Sequence, residues 1–159
     1  MAKEVSPSEL RAVHAKLRVW SSPIEFGEIV QEVSARIRSE QFFRKAGLQF
    51  LREAINARDF ATATSCELLR LCPAEWPDFE VKKGGLVKGY EVIEAIKSGR
   101  KRGEEDWESV DVQHYPVSEW HRVADLIPRD LRKAVNRKVE KNYSPNLCGL
   151  LVYLDVGGT

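Results

Sequence analysis

Residues 147–156 form a nearly unbroken apolar run, and this run stands behind a helical segment that itself follows a glycine-turned hairpin. Two short β-compatible stretches, 79–82 and 87–93, flank Lys83-Gly84-Gly85, whose paired glycines accept the positive φ that tight hairpin turns need. From Pro128 onward, Leu131, Ala134, Val135 and Val139 recur at helical spacing over about 14 residues. Asn142, Ser144, Pro145 and Asn146 then stop the helix. A strand that returns after a helical crossover lies parallel to one member of the hairpin, with helices packed on the sheet. The chain is therefore expected to be an α/β protein, and its apolar run suits a strand covered on both faces.

The first third reads as helix. Ser6-Pro7-Ser8-Glu9 is a capped start, and Leu10, Val13 and Leu17 follow at helical spacing, which predicts a helix over 7–20. Ser21-Ser22-Pro23 interrupts it. Ile29, Val30, Val33 and Ile37 mark a second amphipathic stretch, and Phe42, Phe43, Leu48, Phe50, Leu51 and Ile55 a third that ends near Arg58. Beyond Phe60 the texture becomes β-compatible, with Thr62, Thr64, Cys66, Leu68 and Leu69, and residues 72–77 look like a turn. The order is helices, three strands, helix, strand. One domain spans 1–159, with 1–44 as an N-terminal helical extension and 45–159 as the α/β core.

Composition removes several classes of function. At 43% hydrophobic and 31% charged, the chain has material for a core and is neither disordered nor repetitive. Its formal charge of +1 excludes a polycation built to coat nucleic acid, so any such surface is a local patch. Cys66, Cys72 and Cys148 lack CxxC spacing, and the histidines do not pair with them at zinc-ligand intervals, so they read as reduced thiols. Neither a signal-like N-terminus nor a membrane-length apolar run is present, which predicts a soluble cytoplasmic protein with no membrane partner.

The chemistry is concentrated around the hairpin. Asp78 stands at the entrance of its first strand, and Glu91 and Glu94 lie on the second. Crowded carboxylates at one sheet edge need a proton or a cation between them, and hard oxygen donors suit Mg²⁺ or Mn²⁺. A metal so held polarises a phosphodiester and lowers the pKa of bound water, so phosphodiester hydrolysis is the natural reaction. Strand alternation puts Glu91 with Gly89 and Ile93, and Glu94 with Tyr90 and Val92; Glu91 is favoured and Glu94 kept as the second candidate.

Pro77-Asp78, a short turn and an acidic strand resemble the PD-(D/E)XK nuclease superfamily over about residues 50–156, where the element order also agrees with that family's helix, three strands, helix, strand. The resemblance implies a restriction-endonuclease-like core in which Asp78 and Glu91 bind the metal. It further implies an acid from the preceding helix, for which Glu53, Glu32 and Glu28 compete. The family's lysine, two residues beyond the strand acid, is missing: Ile93 follows Glu91 and Ile96 follows Glu94. Either Lys97, Lys82 or a member of Arg100-Lys101-Arg102 supplies that charge, or the chain is a nuclease-fold binding module that has lost turnover.

Two basic groups would meet nucleic acid. Arg100, Lys101 and Arg102 follow the acidic strand, although Glu104, Glu105 and Asp106 could simply neutralise a solvated loop. Arg129, Lys133, Arg137 and Lys141 recur every four residues on one face of the last helix, with Arg132 and Lys138 beside it, a pattern that an ordinary solvent face also produces. The four tryptophans read as core or rim packing, and His114 and His121 as structural.

Overall fold

A computed structural model describes residues 5–37, 46–74, 76–96, 117–140 and 148–155. Helix α1 is Pro7–Leu17 and α2 is Pro23–Ser34. A single 3₁₀ turn, Ala46–Leu48, leads into α3, Gln49–Ala63. Strands β1 (Leu68–Leu71), β2 (Phe79–Lys83) and β3 (Leu86–Ile96) follow, then helix α4 (Val117–Val139) and strand β4 (Cys148–Asp155). The protein is thus mixed α/β; its described residues form four α-helices and one four-stranded sheet in the order β1-β2-β3-β4. The first three strands are antiparallel, and β4 runs parallel to β3 after the helical crossover, as the sequence implied.

Local chemistry accounts for the boundaries. Ser6 and Ser22 each cap a helix through a reciprocal box with Glu9 and Glu25, and Pro7 and Pro23 occupy the first helical positions, where a missing N–H costs nothing. Helix α1 stops at Leu17, three residues before the expected end. Helix α3 runs past Arg58 to Ala63 and absorbs Thr62, which the β-compatible texture had suggested for a strand. Gly84 and Gly85 have φ of +56° and +80°, the pair of positive angles that a two-residue hairpin turn requires.

Two expectations are corrected. Helix α4 begins at Val117, and Pro128 lies inside it rather than opening it. In the sequence, Trp120, Val123, Ala124 and Ile127 continue the apolar spacing of Leu131 and Val135 upstream, so the helical pattern runs through a proline that costs a helix interior about 3 kcal/mol. Strand β4, expected to be covered on both faces, is an edge of the sheet among the described residues, and Leu150 and Tyr153 are 39% and 44% exposed.

Strand alternation divides the sheet's faces. Leu69, Leu71, Phe79 and Val81 point to one side and are buried with Leu17, Phe26, Val30, Val33, Leu51, Ala54, Ala57 and Ala61 of α1, α2 and α3. Residues of the expected N-terminal extension therefore share one core with the sheet. The extension also reaches the sheet edge, where Ser21 exchanges both backbone hydrogen bonds with Leu69 of β1 at 3.1 and 2.9 Å. Helix α4 lies against β3. Arg70 and Glu80, opposite each other on β1 and β2, form an ion pair at 2.7 Å beneath Trp20, whose ring stands 4.6 Å from the guanidinium.

Phe79 stacks on Tyr90 at 5.4 Å between centroids, and Phe60 of α3 meets both rings. Tyr90 has room because its partner on β4 is glycine: a Cβ on Gly149 would stand 2.6 Å from the ring. Gly149→Ala is therefore expected to displace Tyr90 and cost about 1–3 kcal/mol, as overpacking does. Chemical denaturation of the two proteins checks this, with Gly149→Ser behaving no better.

Among the described residues, no helix is long and apolar enough to cross a membrane. Cys66 and Cys72 are free thiols, the first buried.

Candidate active site

Asp78 immediately precedes β2 and is held from both sides. Its carbonyl accepts from the Cys72 N–H at 2.9 Å, at the end of β1. Its Oδ2 accepts from the Val92 N–H at 2.7 Å, on β3. Strand β3 continues beyond the point where β2 begins, so the Val92 N–H takes a side-chain acceptor in place of a strand partner. The Trp76–Pro77 peptide leading into Asp78 is cis.

The hairpin's register supplies the second acid. Phe79 pairs with Tyr90, and continuing that register by one residue sets Asp78 opposite Glu91. Glu91 is 5% exposed. It shares its face of β3 with Ile93, which is likewise buried. Lys138, at the end of α4, donates its Nζ proton to Glu91 Oε1. Both side chains are largely shielded, at 21% and 6% exposure.

A third acid comes from α3. Glu53 is half-buried and accepts from Gln49 Nε2 at 2.8 Å, one helical turn away. Its charge reaches Asp78, whereas Glu28 and Glu32 are exposed on α2. Asp78 records the convergence. Burial raises its pKa from the ordinary 3.8 to about 6; the charges of Glu53 and Glu91 push the same way, against the Val92 N–H and the Lys138 ammonium. The charges of Glu53, Glu91 and Lys138 thus all reach Asp78, and Lys138 pairs directly with Glu91. A half-buried acid repelled by two others is the condition that a proton or a cation relieves. Among the described residues, no three His, Cys, Asp or Glu side chains stand in a group arranged to hold a metal ion.

Other expected residues fall as follows. Glu94 pairs in register with Tyr153 of β4, and its side chain lies outside the described residues, as do Lys97, Arg100, Lys101, Arg102 and Lys141. Lys82 lies four positions along β2 from Asp78, roughly 13 Å at the usual strand rise. Arg129, Lys133 and Arg137 are all exposed on α4, and Arg129 pairs with Asp130 at 3.2 Å. Lys138, the residue that reaches the acids, was grouped with that basic surface. Its signal is its spacing, three and seven residues beyond Val135 and Leu131, which puts a lysine in the helix's inward stripe. Val139, assigned to that stripe from the sequence, is 64% exposed.

Beside the acids opens a groove of about 410 Å³. Glu53, Asp78, Gln49 and Phe50 line it together with His14 and Arg18 of α1. The His14 ring stacks on Phe50 at 4.5 Å and 21°. Burial, and after it the Arg18 charge, lowers the His14 pKa below its ordinary value. Comparison of the chain with protein-family models, with curated proteins and with solved structures finds no match in any of the three.

Proposed function

We propose that the protein is a metal-dependent phosphodiesterase acting on nucleic acid, with a PD-(D/E)XK nuclease-like core running from α3 to β4. The observation that carries this reading is that the hairpin register sets Asp78 opposite Glu91, on which Lys138 rests, with the charge of Glu53 also reaching Asp78. The succession of one helix, three antiparallel strands, a crossover helix and a parallel strand supports the restriction-endonuclease-like assignment. Asp78 and Glu91, opposite each other in register, offer oxygen donors of the kind a hard divalent ion takes, and burial first, then the charges of Glu53 and Glu91, raises the Asp78 pKa.

Asp78 and Glu91 would hold Mg²⁺ or Mn²⁺, with water filling the remaining positions, as such ions commonly keep it. When bound, such an ion supplies Lewis-acid polarisation of the phosphate and a more acidic water. Lys138 supplies the role left open by Ile93. Its ammonium, now on Glu91, offers positive charge where the attacked phosphate gathers negative charge, a contribution largest in a site shielded from water. The exposed Arg129, Lys133 and Arg137 would engage phosphates of the substrate backbone, with Arg100, Lys101 and Arg102 beyond β3 as a second cationic segment.

Incubation of purified protein with labelled single-stranded DNA, duplex DNA and RNA in Mn²⁺ tests the activity. The wild type is expected to cleave at least one of them, and Asp78→Ala to lower that rate by at least about 10²-fold. Cleavage that persists unchanged in Asp78→Ala would exclude this site as its source. Metal-dependent binding without cleavage would favour the other reading of the fold, a binding module without turnover.

A further inference from the structure

We infer that the groove between α1 and the acid cluster is a subsite for one nucleotide of a single-stranded nucleic acid, in which Arg18 binds a phosphate neighbouring the one cleaved. The inference rests on the phosphodiesterase reading and adds the form of the substrate to it. Glu53 and Asp78 belong to the groove's wall, so whatever fills it lies against the proposed reaction centre. Its 410 Å³ is the volume of a sphere about 9 Å across, within the range of pockets that take a single small molecule. A duplex, whose major groove alone is about 12 Å wide, does not enter a recess of this size. One unpaired nucleotide does.

The chemistry of the α1 wall points the same way. Arg36, Arg58, Arg70 and Arg129 each pair with a carboxylate. Arg18 forms no such pair among the described residues, although Glu53 and Asp78 line the same groove. An unpaired guanidinium is a ready partner for phosphate, which it grips through two parallel hydrogen bonds. One helical turn earlier on the same face, His14 brings a flat ring stacked on Phe50. Cation and aromatic surface together are what single-strand sites offer to the backbone and the bases. The N-terminal helix thereby contributes to substrate choice as well as to the core.

Arg18 is exposed at the end of α1, so Arg18→Gln leaves the fold intact. Fluorescence anisotropy would follow a labelled oligothymidylate and a blunt duplex of equal length, with Ca²⁺ in place of Mg²⁺ to prevent turnover. The wild type is expected to prefer the single strand. Arg18→Gln is expected to weaken that binding about tenfold and to flatten the slope of log K against log salt by about 0.7. Arg18→Lys should recover part of the loss. Mn²⁺ calorimetry on the same proteins should be unchanged by either variant. Unaltered oligothymidylate affinity in Arg18→Gln, or equal affinity of the wild type for the duplex, would overturn the subsite and leave the reaction centre standing. Failure of the reaction centre would read differently, as no Mn²⁺ heat in the wild type.

Discussion

Lys138→Met is expected to reduce turnover by roughly 10²–10³-fold and to lower stability by about 2–4 kcal/mol. Both effects have one origin. Glu91 is 5% exposed, and the ammonium on its Oε1 comes from α4. Removing the cation leaves a charged carboxylate in a shielded place beside Asp78. Truncating one partner of such a pair costs far more than the pair itself contributes, because the survivor remains unsolvated. The double variant Glu91→Gln/Lys138→Met, which removes both charges, should regain most of the stability and none of the activity. Urea unfolding and cleavage assays on the three proteins check the pattern. Full activity in Lys138→Met would show that the lysine is only a structural counter-ion.

A second large effect concerns pH. The carboxyl of Asp78 titrates near 6 in the folded protein against an ordinary 3.8, mainly through burial. Below about pH 4 the group is protonated in both states and contributes nothing. Between the two values the folded state keeps a proton that the unfolded state has released. Stability therefore falls as pH rises through that window and stays lowered above it. The full shift corresponds to about 3 kcal/mol; partial solvent access to the group brings the expected loss down to about 1–2 kcal/mol. Asp78→Asn keeps an acceptor for the Val92 N–H and removes the charge. It should be more stable than the wild type at pH 8 by about that amount, and no more stable at pH 3.5. Mn²⁺ should reverse the order: at a hundredfold excess over its Kd the wild type gains about 2.7 kcal/mol, and the variant gains little. Thermal melts at the two pH values, with and without Mn²⁺, read all four quantities. A wild type indifferent to Mn²⁺ would remove the ion from the account.

The same residues show how far the sequence alone reaches. Gly84-Gly85 announces a two-residue turn, and counting back along both strands from that turn brings Asp78 opposite Glu91. The pairing is legible because a tight hairpin fixes its own register. Glu94, three positions further along β3, lies beyond that alignment. The parallel return of β4 was legible from the helical crossover, whereas its place at the sheet edge was not, since apolar content does not distinguish an edge from a centre. Lys138 escaped for a different reason. Its partner is 47 residues away, and no local spacing connects a lysine near the end of a helix to a buried glutamate on a strand. Starting α4 at Pro128 and assigning Val139 to its inward stripe hid the one hint available, a lysine at that stripe's spacing. Glu53 could be proposed with Glu28 and Glu32 but not separated from them, because the choice depends on how α3 docks against β2. Arg18 offered no local signal either; its groove forms only where α1, α3 and the turn before β2 meet.

The central claim is that the acids at the start of β2 and on β3 hold a divalent cation with a lysine of α4 beside it. Anomalous diffraction from crystals grown in Mn²⁺ tests that claim most directly. A single strong peak is predicted between the carboxylates of Asp78 and Glu91, absent from crystals of Asp78→Asn. A Mn²⁺ peak elsewhere, or none while Lys138 stays on Glu91, would contradict it.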